Sequence, residues 1–264
     1  MKPEAFLLSH SIFTLAEFAA AVRGRVRAAA TVHSHLARWL RQGRIARVKR
    51  GVFVRREAGT GGAASLDLIA LASRMAPDAA VAYHTALEAH GTAQSLFERL
   101  TFVSWTKARP MTFRGRQFVP VRPRASLLNG DRGEAWIERA DRSGLEIRLT
   151  DPERTVADVL DRPDLAGGVD EVWRSLLSVP ALDTGHLEEY VRLLGSRTLA
   201  ARVGFFLESR REELAVPTPV LERLRLLIPR SPVLLDRRRR GTLVARWALI
   251  VPEDLLRTQD GVAQ

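Results

Sequence analysis

Between positions 14 and 56 the chain sets ten arginines and one lysine against a single acid, Glu17, a local charge of +10 in a protein whose total is +11. The chemistry open to such a segment is neutralisation of phosphates: cations that displace condensed counterions from a duplex bind it whatever its base sequence. The cations are Arg23, Arg25, Arg27, Arg38, Arg41, Arg44, Arg47, Lys49, Arg50, Arg55 and Arg56, and the chain from Glu57 onward is close to neutral. Only three lysines occur in all, so the abundance of arginine says less than its separation from acids.

Groups able to catalyse are sparse. His84 and Glu88 stand at i,i+4 and share a helix face, a geometry suited to a general base but equally to a structural pair. His33 and His35, two residues apart on a helix, point in different directions, which predicts one outward and one packed histidine instead of a metal site. Asp151, Glu153, Arg154 and Asp158 read as a helix cap and an acid–arginine pair. No P-loop, H-E-x-x-H, G-x-S-x-G or His-x-Glu zinc signature is present, and no lysine follows an acid at the spacing of restriction-type nucleases. The expectation is a protein without catalytic residues, without a cofactor and without a metal.

The basic residues need elements to hold them in one surface. Pro3 to Ser9 is available as a helix and Ile12-Phe13 as a short strand. Thr14 and Glu17 have the spacing of a capping box, opening a helix that ends near Gly24. Thr31 can cap a helix running to Gln42, with Gly43 as its left-handed stop. Val32, Leu36, Trp39 and Leu40 face inward on that helix, leaving His33, Ser34, Arg38 and Arg41 outside. Alternation in Arg44–Val48 and Val52–Arg55 around Lys49-Arg50-Gly51 predicts a β-hairpin. Helix, strand, helix, helix, hairpin is the order of a winged helix-turn-helix, whose recognition helix enters the major groove. Thr31, His33, Ser34 and Arg38 are then expected at or near bases, Arg41 and Arg47 at phosphates, and Lys49 and Arg50 at a wing tip beside the minor groove.

Residues 57–64 are small and glycine-rich, which predicts a boundary between a DNA-binding domain over 1–57 and a second domain over 65–264. Their G-x-G-x-x-A match follows an arginine-bearing strand and is accidental as a dinucleotide fingerprint. Helices are expected over Ser65–Met75 and Asp78–His90, then strands at 100–104, 111–114, 117–121, 135–138 and 145–149. A helix follows, capped by Asp151 with Pro152 at its first position, then others over 168–178, 183–194 and 196–211, and a strand-like 243–251. Arg237 to Arg240 reads as a solvated turn between two strands in preference to a secondary phosphate contact. Runs of strands followed by runs of helices predict an α+β second domain. Cysteine is absent, which fits a reducing compartment, and no apolar run approaches a bilayer span, so a cytoplasmic protein with no membrane partner is expected.

Several segments together resemble a known family. Phe13–Glu17 with the basic helix and the Arg44–Arg55 wing, Ala82–Gly91, Leu149–Pro163 with Gly167-Gly168, and Arg202–Glu208 occur in the order found in the AbiEi family of type IV antitoxins. The resemblance implies a transcriptional repressor that binds inverted repeats in the promoter of its own toxin–antitoxin operon. It also implies a larger C-terminal domain acting against a nucleotidyltransferase-like toxin without a stable complex, and a protein monomeric in solution that pairs on double-stranded DNA. The family's DNA-binding face maps here onto Thr31, His33, Ser34, Arg38, Arg41, Lys49 and Arg50. Two other classes stay open: a ligand-sensing winged-helix transcription factor with an effector pocket in the second domain, and an enzyme acting on nucleic acid.

Overall fold

The computed structural model describes residues 1–22, 29–56, 66–128 and 130–260. Arg23, Arg25 and Arg27, the glycine-rich stretch 57–64 and the expected cap Ser65 lie outside these. The described chain mixes helix and strand in an α+β arrangement.

The amino-terminal module is α1 (Pro3–Ser9), β1 (Ile12–Thr14), α2 (Leu15–Val22), α3 (Ala29–Arg41), β2 (Ile45–Lys49) and β3 (Val52–Arg55), with a sheet ordered β1-β3-β2 and antiparallel throughout. The capping box forms: the Thr14 N–H donates to Glu17 and the Glu17 N–H donates to the Thr14 hydroxyl. α3 begins at Ala29, so Thr31 sits in its first turn and not at its cap. Its other end closes as expected, because Gly43 takes φ +67° while the Arg44 and Gly43 N–H groups donate to the Trp39 and Leu40 carbonyls. Phe6, Phe13, Phe18 and Trp39 are wholly buried at the centre, with the Phe6 and Phe13 rings edge to face at 5.2 Å. Burying rings of this size supplies about 2–3 kcal/mol each, enough to hold so small a unit together.

Both faces of the small sheet are covered. Phe13, Ile45 and Phe53 turn to the helices, while Ile12, Val52 and Val54 turn the other way into a cluster with Ile69, Leu71 and Met75. The alternation of a strand pair thus delivers one row of side chains to each of two cores.

The cluster's far side is a six-stranded mixed sheet, ordered β6-β7-β5-β4-β9-β8. Its strands are β4 (Ala80–Val81), β5 (Arg99–Val103), β6 (Met111–Phe113), β7 (Arg116–Val121), β8 (Ile137–Arg142) and β9 (Leu145–Thr150). One face carries α4 (Leu68–Ala72) and the winged module. The other packs on the helices α5 (His84–Ala89), α6 (Pro152–Asp161), α7 (Val169–Leu177), α8 (Thr184–Leu194), α9 (Arg197–Ser209) and α10 (Thr218–Arg225). A parallel pair, β10 (Val233–Leu234) with β12 (Leu249–Val251), and β11 (Thr242–Val244) antiparallel to β12 make a third sheet, followed by α11 (Glu253–Asp260).

The expected helix over Asp78–His90 is replaced by β4 and α5. Ala79 to Ala82 are buried at the sheet centre, Tyr83 takes φ 55°, and Asp78 accepts from the N–H groups of Trp105 and Thr106 instead of capping a helix. The helix expected over Ser65–Met75 is the shorter α4, capped by Asp67. The strand expected at 135–138 begins at Ile137 and runs to Arg142, because the Ser143-Gly144 turn, both at positive φ, fixes the pairing of Arg142 with Leu145. Gly204 in α9 is required by close packing: a Cβ there would fall inside the Trp247 ring. Among the described residues no helix is long and apolar enough to cross a membrane.

Candidate nucleic-acid interface

On α3 the apolar residues Val32, Leu36 and Trp39 are buried, and the opposite side is polar and exposed. Thr31, Ser34, Arg38 and Arg41 follow one stripe at helical spacing, with His33, also exposed, on the other flank. His35 is half-buried with its ring edge-on to Phe18, giving the outward and packed pair of histidines that the spacing predicts. Trp39 anchors the helix from below and donates its indole N–H to Glu4 of α1 at 3.2 Å.

Glu4 is the residue that the charge pattern missed. It lies outside the 14–56 segment in sequence, yet its carboxylate accepts from Arg44 at 2.7 Å and from Arg38 at 3.5 Å. The Arg44 hydrogen bond, joined by Trp39 and the nearby guanidinium charges, outweighs partial burial and holds the Glu4 carboxyl below the usual range. Arg38, placed at the bases by sequence, is thus tethered to α1, although its side chain is 46% exposed. Pro3 at the start of α1 with Glu4 in its first turn is a helix-start signal, but nothing local in sequence points Glu4 at α3.

The wing is also partly committed. Lys49, expected at the minor groove, donates its ammonium to the Met75 carbonyl of the second body at 2.7 Å and is half-buried. Glu17 pairs with Arg74 at 3.1 Å beside it. The first contact docks the hairpin and the second docks α2 onto the segment that follows α4, which explains why Lys49 does not project as a tip. Arg55 holds the carbonyls of Leu7 and Leu8 at the end of α1. Arg47 is exposed and lies over the Phe53 ring at 6.0 Å, while Arg41 and Arg50 are exposed with no acidic partner among the described residues. The structure therefore brings Thr31, His33, Ser34, Arg38 and Arg41 onto one helix surface, leaves Arg47 and Arg50 on the hairpin, and diverts Lys49.

The candidate chemistry of the second body resolves into buried polar contacts. His84 is buried, its Nδ1 3.0 Å from Glu88 and its Nε2 3.3 Å from Glu171, with Phe97 stacked on the ring. Glu171 also accepts from the Ser95 N–H and hydroxyl; despite burial, these bonds and His84 hold its carboxyl below the ordinary range. Asp151 caps α6 through the Arg154 N–H, and Arg154 reaches Asp158 at 3.2 Å, so the cap and the pair are both present. Among the described residues no group of three or more His, Asp or Glu is arranged to hold a metal ion. Arg237 to Arg240 occupy the turn between β10 and β11, where Arg239 pairs with Asp170, Asp236 and Asp254.

Residues 2–56 match the family model described as "Transcriptional regulator, AbiEi antitoxin". The amino-terminal module is thus similar to that family's, and the match does not extend past it. The match covers the module whose exposed α3 face is described above and supports a DNA-binding regulatory role. The whole chain is similar in fold to the crystal structure of the RV2827C protein from Mycobacterium tuberculosis, with a TM-score of 0.59 and 15% identity over 99% of this chain and 93% of that one. No curated protein matches the sequence.

Proposed function

We propose that this chain is a sequence-specific transcriptional repressor of its own toxin–antitoxin operon, and that its second body counteracts a nucleotidyltransferase-type toxin without performing catalysis. The observation that carries the DNA-binding part is the stripe Thr31, Ser34, Arg38 and Arg41, exposed on a helix whose other side is anchored by Trp39 within an AbiEi-type module. In this reading α3 lies in the major groove, Arg38 donates to guanine after leaving Glu4, Ser34 and Thr31 meet bases or sugar–phosphate, and Arg41 and Arg47 hold phosphates. Inverted promoter repeats would place two copies of the chain on one duplex, each reading a half-site. The absence of catalysis in the second body is supported by the internal use of His84, Glu88, Glu171, Asp151 and Asp158, which are taken up by a cap, by pairs and by a loop.

The test is protection of a promoter fragment from nuclease digestion, with and without Arg38→Ala and Arg41→Ala together. Protection of two symmetric half-sites that the double variant loses supports the reading; a wild-type footprint from the variant overturns it. Antitoxicity is tested separately, by co-expression of the neighbouring toxin gene with the chain and with the variant.

A ligand-responsive regulator is the second reading. A groove of about 630 Å³ lies between the winged module and the second body, lined by Leu15, Ala19, Arg50, Val52, Met75 and Pro77 among others. A ligand there would act on the docked hairpin, so a small molecule that shifts operator affinity would favour this reading over the first.

A further inference from the structure

The groove between the winged module and the second body is largely apolar but not electrically neutral. Leu15, Ala16 and Ala19 of α2 line one side, and Met75, Ala76 and Pro77, which follow α4, line the other. The hairpin turn Lys49-Arg50-Gly51 borders it, held in place because the Gly51 carbonyl accepts from the Leu15 N–H at 2.8 Å. A volume of about 630 Å³ is in the range of small-molecule sites.

The charged side chains at this groove are matched within the chain, save one. Arg74 is buried and donates to Glu17 and to the carbonyls of Ala70 and Glu146. Glu17 also accepts from the Thr14 N–H, and Lys49 donates to the Met75 carbonyl. Arg148 donates to Glu134, and the Glu146 carboxylate accepts from Arg139. Arg50 is exposed and has neither an ion pair nor a side-chain hydrogen bond among the described residues.

An apolar surface with one uncommitted guanidinium selects among ligand classes. A cation is repelled, and a neutral apolar molecule leaves Arg50 unmatched. A multiply charged anion finds a single counter-charge and must lose water against apolar walls, which is costly. A molecule with an apolar body and one carboxylate answers both features: its body covers the walls, and a carboxylate fits the planar fork of an arginine in bidentate fashion.

We propose that this groove binds an amphipathic carboxylic acid, an aromatic or medium-chain aliphatic body whose single carboxylate is held by Arg50, and that the bound acid weakens the hold of the chain on DNA. Arg50 is one of the hairpin cations open to phosphate, so carboxylate and duplex compete for the same guanidinium. The coupling is reciprocal: DNA lowers the affinity for the acid by the factor by which the acid lowers the affinity for DNA. This inference rests on the ligand-responsive reading above and names the ligand class and the residue that reports it.

The experiment uses the full chain in isothermal titration calorimetry without DNA. The probes are 1-naphthoate and decanoate, with neutral 1-naphthylmethanol and cationic 1-naphthylmethylamine as controls of similar body. At least one acid is expected to bind with a Kd below about 1 mM, and both controls at least about tenfold more weakly than naphthoate. Arg50→Gln, with its fold checked by thermal melting, should lower the affinity for the acid by about tenfold or more and leave that for the alcohol unchanged. Ala16→Phe, which adds a ring at an exposed groove position, should lower both. The inference is overturned if neither acid binds below about 1 mM, if acid and alcohol bind equally, or if Arg50→Gln takes the acid like the parent.

Fluorescence anisotropy on a promoter duplex then reads the coupling. Saturating acid is expected to weaken binding by the parent about tenfold and to leave Arg50→Gln, already weaker, without further change. Unchanged operator affinity of the parent at saturating acid overturns the regulatory part. The measurement without acid tests the α3 reading separately. A parent that binds no promoter fragment removes that reading and the regulatory part with it, while calorimetry decides the acid site by itself.

Discussion

Arginine does opposite work in the two halves of this molecule. On α3 and the hairpin, Arg38, Arg41, Arg47 and Arg50 hold their guanidinium groups at the surface. In the second body Arg154, Arg202 and Arg210 are buried, and each donates to at least one backbone carbonyl. Arg154 donates to the Gly133 carbonyl at 2.8 Å and lies against the Trp105 and Tyr190 rings. Arg202 takes the Leu160 carbonyl at the end of α6, and Arg210 takes those of Leu176 and Val179 at the end of α7. The last carbonyls of a helix lack internal partners, and a planar fork of donors satisfies two of them at once. One residue type thus closes helices where it is enclosed and is left available to phosphate where it is not, so position relative to the core, not abundance, distinguishes the two uses.

The strongest challenge to this contrast is Arg154→Ala. It strips a buried guanidinium from Asp158, whose other partner is the Tyr190 hydroxyl at 2.8 Å, and is expected to cost about 3–5 kcal/mol in urea unfolding. DNA affinity per folded molecule should not change; a loss of affinity without a loss of stability would erase the distinction. Arg38→Ala with Arg41→Ala should do the reverse, weakening operator binding by about a hundredfold while moving stability by less than about 0.5 kcal/mol.

Asp151 gives a smaller effect on the buried side. Burial, helped by the nearby Glu153, pushes its carboxyl up to about 6, against the Arg154 N–H and His186, which favour the charge. The folded chain therefore holds a proton that the unfolded chain releases near pH 4, and stability falls as pH rises from about 4 to 6. Asp151→Asn keeps an oxygen for the Arg154 N–H and should remove that slope, raising stability at neutral pH by on the order of 1–3 kcal/mol in melts recorded across the pH range. The smallest effect is expected at the surface, where Glu4→Gln frees Arg38 and Arg44. Affinity for duplex DNA in a shift assay should rise by about two- to fivefold at low salt, and the gain should vanish as salt is raised.

How much of this was legible in the sequence depends on whether the cause was local. The Thr14–Glu17 box, the Gly43 stop, the Asp151 cap and the buried face of α3 all follow from neighbours within four residues, and each is found where the pattern places it. Asp78 and Ala79–Ala82 went astray because a run of small apolar residues fits a helix and a central strand equally, and only the surrounding sheet decides. The interface residues were legible as a set, but their partners were not. Glu4 meets Arg38 and Arg44 across 34 and 40 positions, and Lys49 meets Met75 across 26.

The row formed by Ile12, Val52 and Val54 has a practical consequence for anyone who divides the chain. Severing it after Arg56 would leave three aliphatic side chains of the small sheet uncovered, together with the Lys49 ammonium stripped of its carbonyl. Such a fragment would be adhesive in solution. Weak or erratic operator binding by it would report the newly bared surface and not the competence of α3.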